Sequence, residues 1–201
     1  MSELFSIQLQ NRQQQGRDGV WLDLPTTTEQ VQAALRQIGI SSDNPQGLFI
    51  SGYFAEEEKR IAIPYNMVLA SNVDELNFLA SRLETLSTGE RAELNAALQA
   101  PQSELFSIGR ITDFPENVDY YVHLPDVHGP AQLGDYYLNR SGMVDMPEEW
   151  KAGIFLPRFG LHIANTEHGV FTDYGYLVKS GDEWQRVHEG QPVPEEYRVM
   201  G

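Results

Sequence analysis

The chain has 201 residues, 41% of them hydrophobic, and its 29 acidic residues outnumber 14 basic ones to give a net charge of −15. This composition is that of a folded protein, and the absence of cysteine excludes disulfides, thiolate metal sites and thiol nucleophiles. The acidity argues against direct binding to nucleic acid or to an anionic membrane surface. Three roles stay open: the charge keeps the protein soluble, attracts a basic partner or imitates a polyanion.

The first part of the chain predicts a strand–strand–helix–strand module over residues 1–66. Its helix is expected to start at a capping box formed by Thr26 and Glu29 and to end at Gly39. Alternating apolar residues bounded by turn residues predict the strands. The predicted strands are Leu4–Leu9, Val20–Leu24, Leu48–Phe54 and Lys59–Ile63.

A helical hairpin is predicted within residues 67–101. Asn72 and Glu75 have the spacing of a capping box, and apolar residues follow with a helical period. A second apolar stripe continues to about residue 99, and Pro101 ends the pattern. The middle of the chain is therefore expected to be all helical.

The hexapeptide Ser-Glu-Leu-Phe-Ser-Ile occurs at Ser2–Ile7 and again at Ser103–Ile108. Further short matches follow in the same order, which indicates that the first module is duplicated over residues 102–180. The expected elements there are strands at Phe106–Ile108, Tyr120–Leu124 and Gly153–Leu156, a helix from Pro130 to Gly142, and a hairpin of His168–Thr172 and Tyr174–Val178. Residues 181–201 are expected to form a loosely held polar tail. These elements predict an elongated α+β protein in which two related small sheet-plus-helix modules flank a helical middle segment.

Acidic residues are densest between residues 101 and 150, where nine acids face two bases. They occur along the chain mostly as single residues, unlike the block of like charges that is typical of a disordered acidic tail. Such a scatter on a folded surface would resemble a row of phosphates. The candidate phosphate-mimicking residues are Asp113, Glu116, Asp119, Asp126, Asp135, Asp145, Glu148 and Glu149.

Motifs of catalysis are missing from the sequence. It contains no Gly-rich phosphate loop, nucleophile elbow or zincin helix. Asp126 and His128 offer only two metal ligands, so neither a metal nor another cofactor is predicted. Glu167 and His168 could form an acid–base pair, although a turn before a strand accounts for the same two residues. The sequence therefore predicts a protein that is not an enzyme.

Three segments carry motifs that occur together in one known protein family. Leu133–Met143 resembles a helix that ends in Gly followed by an apolar residue, Gly169–Leu177 resembles a closing Gly-x-Phe-Thr-x-x-Gly-Tyr signature, and Gly19–Pro25 resembles a Gly-x-Trp-x-x-Leu-Pro opening. In this order the motifs resemble those of the ArdA antirestriction family, whose antirestriction motif corresponds to the first segment. The motif-like positions of that helix are Leu133, Gly134, Asp135, Leu138 and Gly142.

The resemblance implies a cytoplasmic protein of plasmids, transposons and phages that acts as an elongated homodimer. It implies that the protein imitates bent B-form DNA and occupies the DNA-binding groove of Type I restriction–modification enzymes. Surface carboxylates would then stand in for phosphates, and the partner would be a protein, with neither nucleic acid nor membrane bound directly. The alternative hypothesis is an acidic protein-interaction module of a mobile element without antirestriction activity.

Overall fold

The computed structural model describes residues 4–14, 18–41, 45–56 and 61–200. The chain divides into two compact units, each built from separate stretches of sequence. Unit 1 combines Met1–Ser87, Glu104–Glu116 and Gln185–Gly201, and unit 2 combines Thr88–Ser103 and Asn117–Trp184. Each unit contains one three-stranded antiparallel sheet together with helices, which confirms the predicted α+β class.

The sheet of unit 1 has the strand order β2-β1-β3. Its strands are β1 (Phe5–Asn11), β2 (Val20–Leu24) and β3 (Leu48–Phe54), so three of the predicted strands are confirmed. Alternate residues on one face, including Ile7, Leu9 and Leu22, are buried, as expected for a sheet with one solvated side. The fourth predicted strand is not found at residues 61–63, and the rest of it lies outside the described residues.

Helix α1 (Thr28–Gln37) starts one residue later than predicted. Its capping box is formed by Thr27 and Gln30, each side chain accepting from the other residue's backbone N–H. The prediction of Thr26 and Glu29 was wrong because Thr26 is buried and its backbone N–H donates to Asn77 Oδ1, at 2.7 Å. A tertiary hydrogen bond to Asn77 thus determines that Thr27, and not the adjacent Thr26, is the N-cap of α1.

The remaining elements of unit 1 are mostly short helices. The Asn72–Glu75 capping box is confirmed at the start of the helix Val73–Leu83. The elements are α2 (Tyr65–Ala70), α3 (Val73–Leu83), α5 (Ile108–Thr112), and two 3₁₀ turns at Phe114–Glu116 and Glu195–Tyr197.

The segment 185–200 packs onto unit 1, although the sequence suggests a loose tail. Val199 and Met200 donate their backbone N–H groups to Asp74 Oδ1, at 2.7 and 2.9 Å. The side chain of Phe78 on α3 contacts the rings of His188 and Tyr197. We call residues 185–200 the C-terminal strap, because they hold α3 by both backbone and ring contacts.

Unit 2 has a sheet of order β4-β6-β5. The predicted strand at residues 120–124 and the closing hairpin are confirmed within one or two residues. The strands are β4 (Tyr121–Leu124), β5 (Val170–Thr172) and β6 (Gly175–Lys179). The helices are α4 (Thr88–Gln99), α6 (Pro130–Asp135), α7 (Glu148–Lys151) and α8 (Leu156–Glu167), with a 3₁₀ turn at Val118–Tyr120 and a π-helical turn at Tyr136–Arg140.

The predicted duplication of the strand–strand–helix–strand order is wrong in its second half. Phe106–Ile108 forms no strand, because the Ser107 hydroxyl accepts from Arg110 N–H and caps α5. Gly153–Leu156 forms no strand either and leads into α8. The two predicted helices of the middle segment exist, but α3 belongs to unit 1 and α4 to unit 2.

No helix among the residues described above is both long and apolar enough to cross a membrane.

Candidate functional site

The helix that resembles the antirestriction motif belongs to the core of unit 2. Leu133 and Leu138 are buried, and Leu133 packs in a cluster with Val127, Ala164 and Tyr176. The α6 backbone meets the α8 backbone at two glycines: a Cβ on Gly134 would collide with the carbonyl oxygen of Leu156. Gly160 on α8 faces the carbonyl oxygen of Pro130 in the same way. These positions of the motif therefore build the scaffold.

A π-helical turn follows α6 and ends the motif. The N–H of Ser141 donates to the carbonyl oxygen of Tyr136, five residues earlier, at 2.8 Å. Gly142 ends the turn at a φ of +71°, a left-handed conformation that favours glycine. Two later side chains reach Asp135: Asn139 Nδ2 lies 2.9 Å from Oδ1, as in an ordinary helix, and the widened turn brings the Arg140 guanidinium to 3.0 Å from Oδ2.

Glu167, the last residue of α8, ties that helix to the sheet and to the π-helical turn. Its two carboxylate oxygens accept from the hydroxyls of Tyr137, at 2.7 Å, and Tyr176, at 2.6 Å. Burial, followed by these hydrogen bonds, raises the pKa of both tyrosines above the usual value. Both stay neutral donors at physiological pH. His168 takes a left-handed conformation as the C-cap of α8, and both oxygens of Glu167 are held by tyrosine hydroxyls, which gives Glu167 a structural role.

Six of the candidate acids lie in unit 2. Asp119, Asp126, Asp145, Glu148 and Glu149 are exposed, whereas Asp135 is half-buried beneath its two donors. Glu148 pairs with Lys151 Nζ at 2.7 Å. The other four exposed acids make no ion pair within unit 2, all of whose residues are described. Their carboxylates are therefore available to a partner.

Asp113 and Glu116 lie in unit 1, and both serve the fold. Asp113 is fully buried and accepts from the backbone N–H groups of His188 and Glu189 in the strap, at 2.6 and 3.3 Å. The prediction of a surface role for Asp113 is corrected, because no partner can reach this carboxylate. Glu116 is partly buried and forms an ion pair with Arg82.

Sequence reasoning missed a group of acids on α4. Glu93 is half-buried, and its Oε1 has no hydrogen-bond partner among the described residues. Burial, with the negative charges of Glu90 and Asp119, raises the pKa of Glu93 from 4.5 to about 8. Glu93 is thus largely protonated at neutral pH and adds little charge. The spacing of Glu90 and Glu93 places both on one helical face, but nothing in the sequence places Asp119 beside them.

Three more exposed acids of unit 2 lie beyond residue 150: Asp173, Asp182 and Glu183. Their positions in the sequence lie outside the segment that is densest in acids, and sequence position alone does not show which acids share the surface of one unit. Unit 2 holds twelve acidic and five basic residues, and it exposes eight of the acids but only three of the bases. Its net charge is −7, and its exposed surface is therefore predominantly acidic.

Four of the five histidines lie in unit 2. His123 lies in β4 with Nε2 2.7 Å from the carbonyl oxygen of Tyr174, a contact within unit 2. His128, His162 and His168 are exposed. Across the described part of the chain, no group of three histidine, aspartate or glutamate side chains could hold a metal ion.

Comparison with known proteins places these features in one family. No curated protein matches the chain. The family model of the ArdA antirestriction protein matches residues 15–178, which is well over half of the 201 residues and includes all of β2 to β5. The match contains the α6 segment, the closing hairpin as far as Val178 and the six candidate acids of unit 2. The chain therefore belongs to the ArdA family of antirestriction proteins.

Proposed function

We propose that this protein inhibits Type I restriction–modification enzymes by occupying their DNA-binding groove as a mimic of DNA. Family membership supports the antirestriction role. The observation that carries the mimicry is the surface of unit 2, on which exposed acids outnumber exposed bases by eight to three. A folded surface of fixed carboxylates can meet the lysine and arginine side chains that normally hold DNA phosphates.

The proposed contact residues are the acids that water, and therefore a partner, can reach. They are Asp119, Asp126, Asp145, Glu148 and Glu149, with Asp135 as a sixth, partly covered member. We exclude Asp113 and Glu116 from the proposed contact residues, because Asp113 is buried and Glu116 is paired with Arg82. Since each contact exchanges solvated charges for an ion pair, salt should weaken the complex by screening.

We also propose that the protein acts in the cytoplasm, where restriction enzymes meet incoming DNA, and that it acts as a homodimer. Support for a dimer comes from large apolar side chains of unit 2 that remain exposed: Met143, Trp150 and Phe155 are 73%, 68% and 70% exposed. A second copy of the chain would remove this apolar surface from water. Light scattering of the purified protein gives the mass that decides between monomer and dimer.

The function is tested by ATP-dependent DNA cleavage with a Type I restriction–modification enzyme, titrated with this protein at low and high salt. We expect inhibition at low salt that fades at high salt. The variant Asp126→Asn/Asp145→Asn/Glu149→Gln removes three available charges from unit 2, and we expect about 10- to 100-fold weaker inhibition. Each side chain is exposed, so the fold should be unaffected.

A matched control removes the same charge from exposed acids of unit 1, by Asp18→Asn/Glu195→Gln/Glu196→Gln. Equal losses in the two triple variants would contradict the assignment to unit 2 and leave only a net-charge effect. If the wild-type protein fails to inhibit enzymes of several Type I families at low salt, the proposed function is wrong. The acidic interaction module without antirestriction activity would then be the better hypothesis.

A further inference from the structure

Asp135 differs from the other proposed contact residues because the chain itself satisfies both of its carboxylate oxygens. Asn139 donates to Oδ1 and Arg140 to Oδ2. The Arg140 guanidinium also lies 5.8 Å from the centre of the Tyr136 ring, where the face of the ring attracts a cation. Arg140 is therefore held on Asp135 by an ion pair on one side and an aromatic ring on the other.

The π-helical turn creates this arrangement. In a regular α-helix the neighbours of residue i on the same face are i+3 and i+4, whereas an ion pair between Asp135 and Arg140 spans five residues. The i→i+5 hydrogen bond from Ser141 to Tyr136 widens the turn and lets residue 140 reach residue 135. The π-helical turn is therefore what makes the masking of Asp135 by Arg140 possible.

We propose that Arg140 is an internal counter-ion that masks Asp135, so that a lysine or arginine of the partner must displace it to pair with Oδ2 of that carboxylate. This inference rests on the proposed function. The ion pair is accessible, with the side chains of Arg140 and Asp135 53% and 41% exposed, so exchange for an external cation costs little. A lysine or arginine of the partner that replaces Arg140 on Asp135 therefore gains little net binding free energy.

The test compares Arg140→Gln with Arg158→Gln in the cleavage assay and in calorimetric titration with an octalysine peptide. Arg158 is an exposed arginine on α8 that makes no ion pair within unit 2, so both variants lose one positive charge from the same unit. Only Arg140→Gln also removes the ion pair on a carboxylate, at Oδ2 of Asp135. We expect Arg140→Gln to bind about two- to fivefold more tightly than Arg158→Gln, because an exposed ion pair contributes that much.

Asp135→Asn completes a double-mutant cycle. In the wild-type background it should weaken inhibition, because it leaves the positive charge of Arg140 without its counter-ion. In the Arg140→Gln background it should abolish the gain. Equal affinities of Arg140→Gln and Arg158→Gln, or a gain that survives Asp135→Asn, would overturn the proposal.

The two measurements separate this inference from the proposed function. If the wild-type protein inhibits no restriction enzyme, but Arg140→Gln gains affinity for octalysine in an Asp135-dependent way, the masking is right and the proposed target is wrong. If the wild-type protein inhibits and the gain is missing in both assays, the target stands and the masking is wrong. Thermal unfolding of each variant checks that the fold is intact.

Discussion

Glu93 shows how a single residue can belong to an acidic protein without adding to its charge. Its raised pKa means that the folded protein binds this proton more tightly than the unfolded chain does. The stability that the proton provides is fully present below the ordinary pKa of 4.5 and is lost as the pH rises through about 8. The free energy of unfolding of unit 2, which contains Glu93, should therefore decrease in the wild-type protein as the pH rises from 4.5 to about 8.

We expect Glu93→Gln, which cannot ionise, to be more stable than wild type at about pH 9 and equal to it at about pH 4. The gain should be on the order of 1 kcal/mol, because water screens the half-buried carboxylate. Thermal unfolding at both pH values measures it, with the exposed and unpaired Glu149→Gln as control. A constant difference between wild type and Glu93→Gln over the whole range would contradict the assigned pKa.

Asp113 shows that the exposure of a single acidic residue cannot be predicted from the sequence around it. It has the residue type and the spacing of the surface acids around it, yet it is fully buried on the backbone of the strap. Its partners lie about 75 residues away along the chain. No local pattern distinguishes an acid that faces water from one that caps a distant segment, so only the exposed members of the predicted set could be right.

Among the elements, α6 and α8 depend on the absence of side chains where their backbones meet. We expect Gly134→Ala to destabilise the protein by about 1 to 3 kcal/mol, since the new methyl group would collide with a carbonyl oxygen that cannot rotate away. Gly89→Ala in α4 is the control, because its methyl group would meet nothing within 4 Å. Chemical denaturation gives both values, and a Gly134→Ala variant as stable as Gly89→Ala would show that the helices can separate freely.

Elements also differ in how far their sequence determines them. The Asn72–Glu75 capping box and the closing hairpin were predictable because their signals are local. Phe106–Ile108 was not, because the same residues form β1 at Phe5–Ile7 and enter α5 in the second copy. In the second copy, the Ser107 cap and the packing within unit 1 favour the start of helix α5 over a strand. The π-helical turn has no sequence signal of its own, so the pairing of Asp135 with Arg140 could not be predicted.

For the whole molecule, the α+β class was predictable from the order of periodic segments, whereas the assembly of the units was not. The period of the hydrophobic residues identifies strands and helices, but it does not show that α3 belongs to unit 1 and α4 to unit 2. It also does not show that the polar C-terminal strap belongs to unit 1. The strap is rich in polar residues and in proline. It is held by backbone hydrogen bonds and ring contacts, which require no periodic pattern of apolar residues in the sequence.

A chain ending at Trp184 would test the strap at this scale. Without it, Asp113 loses two backbone donors, Asp74 loses two more, and Phe78 loses two ring contacts. We expect hydrogen exchange to speed up at least tenfold in α3 and α5, because buried groups would be left unsatisfied, and to stay unchanged in β4 and β6. Uniform loss of protection over both sheets would mean that the units unfold together.

The discontinuity of unit 1 has a consequence for the order in which the protein matures on the ribosome. Domains ordinarily fold from the N-terminus as they emerge. Here the first sheet emerges early, but its unit waits for residues 185–200, which are translated after every residue of unit 2. The unit that begins the chain is therefore the later one to be completed. Until then its helices expose the surfaces that the strap will cover, and a nascent chain stalled before residue 185 would present them to chaperones and proteases.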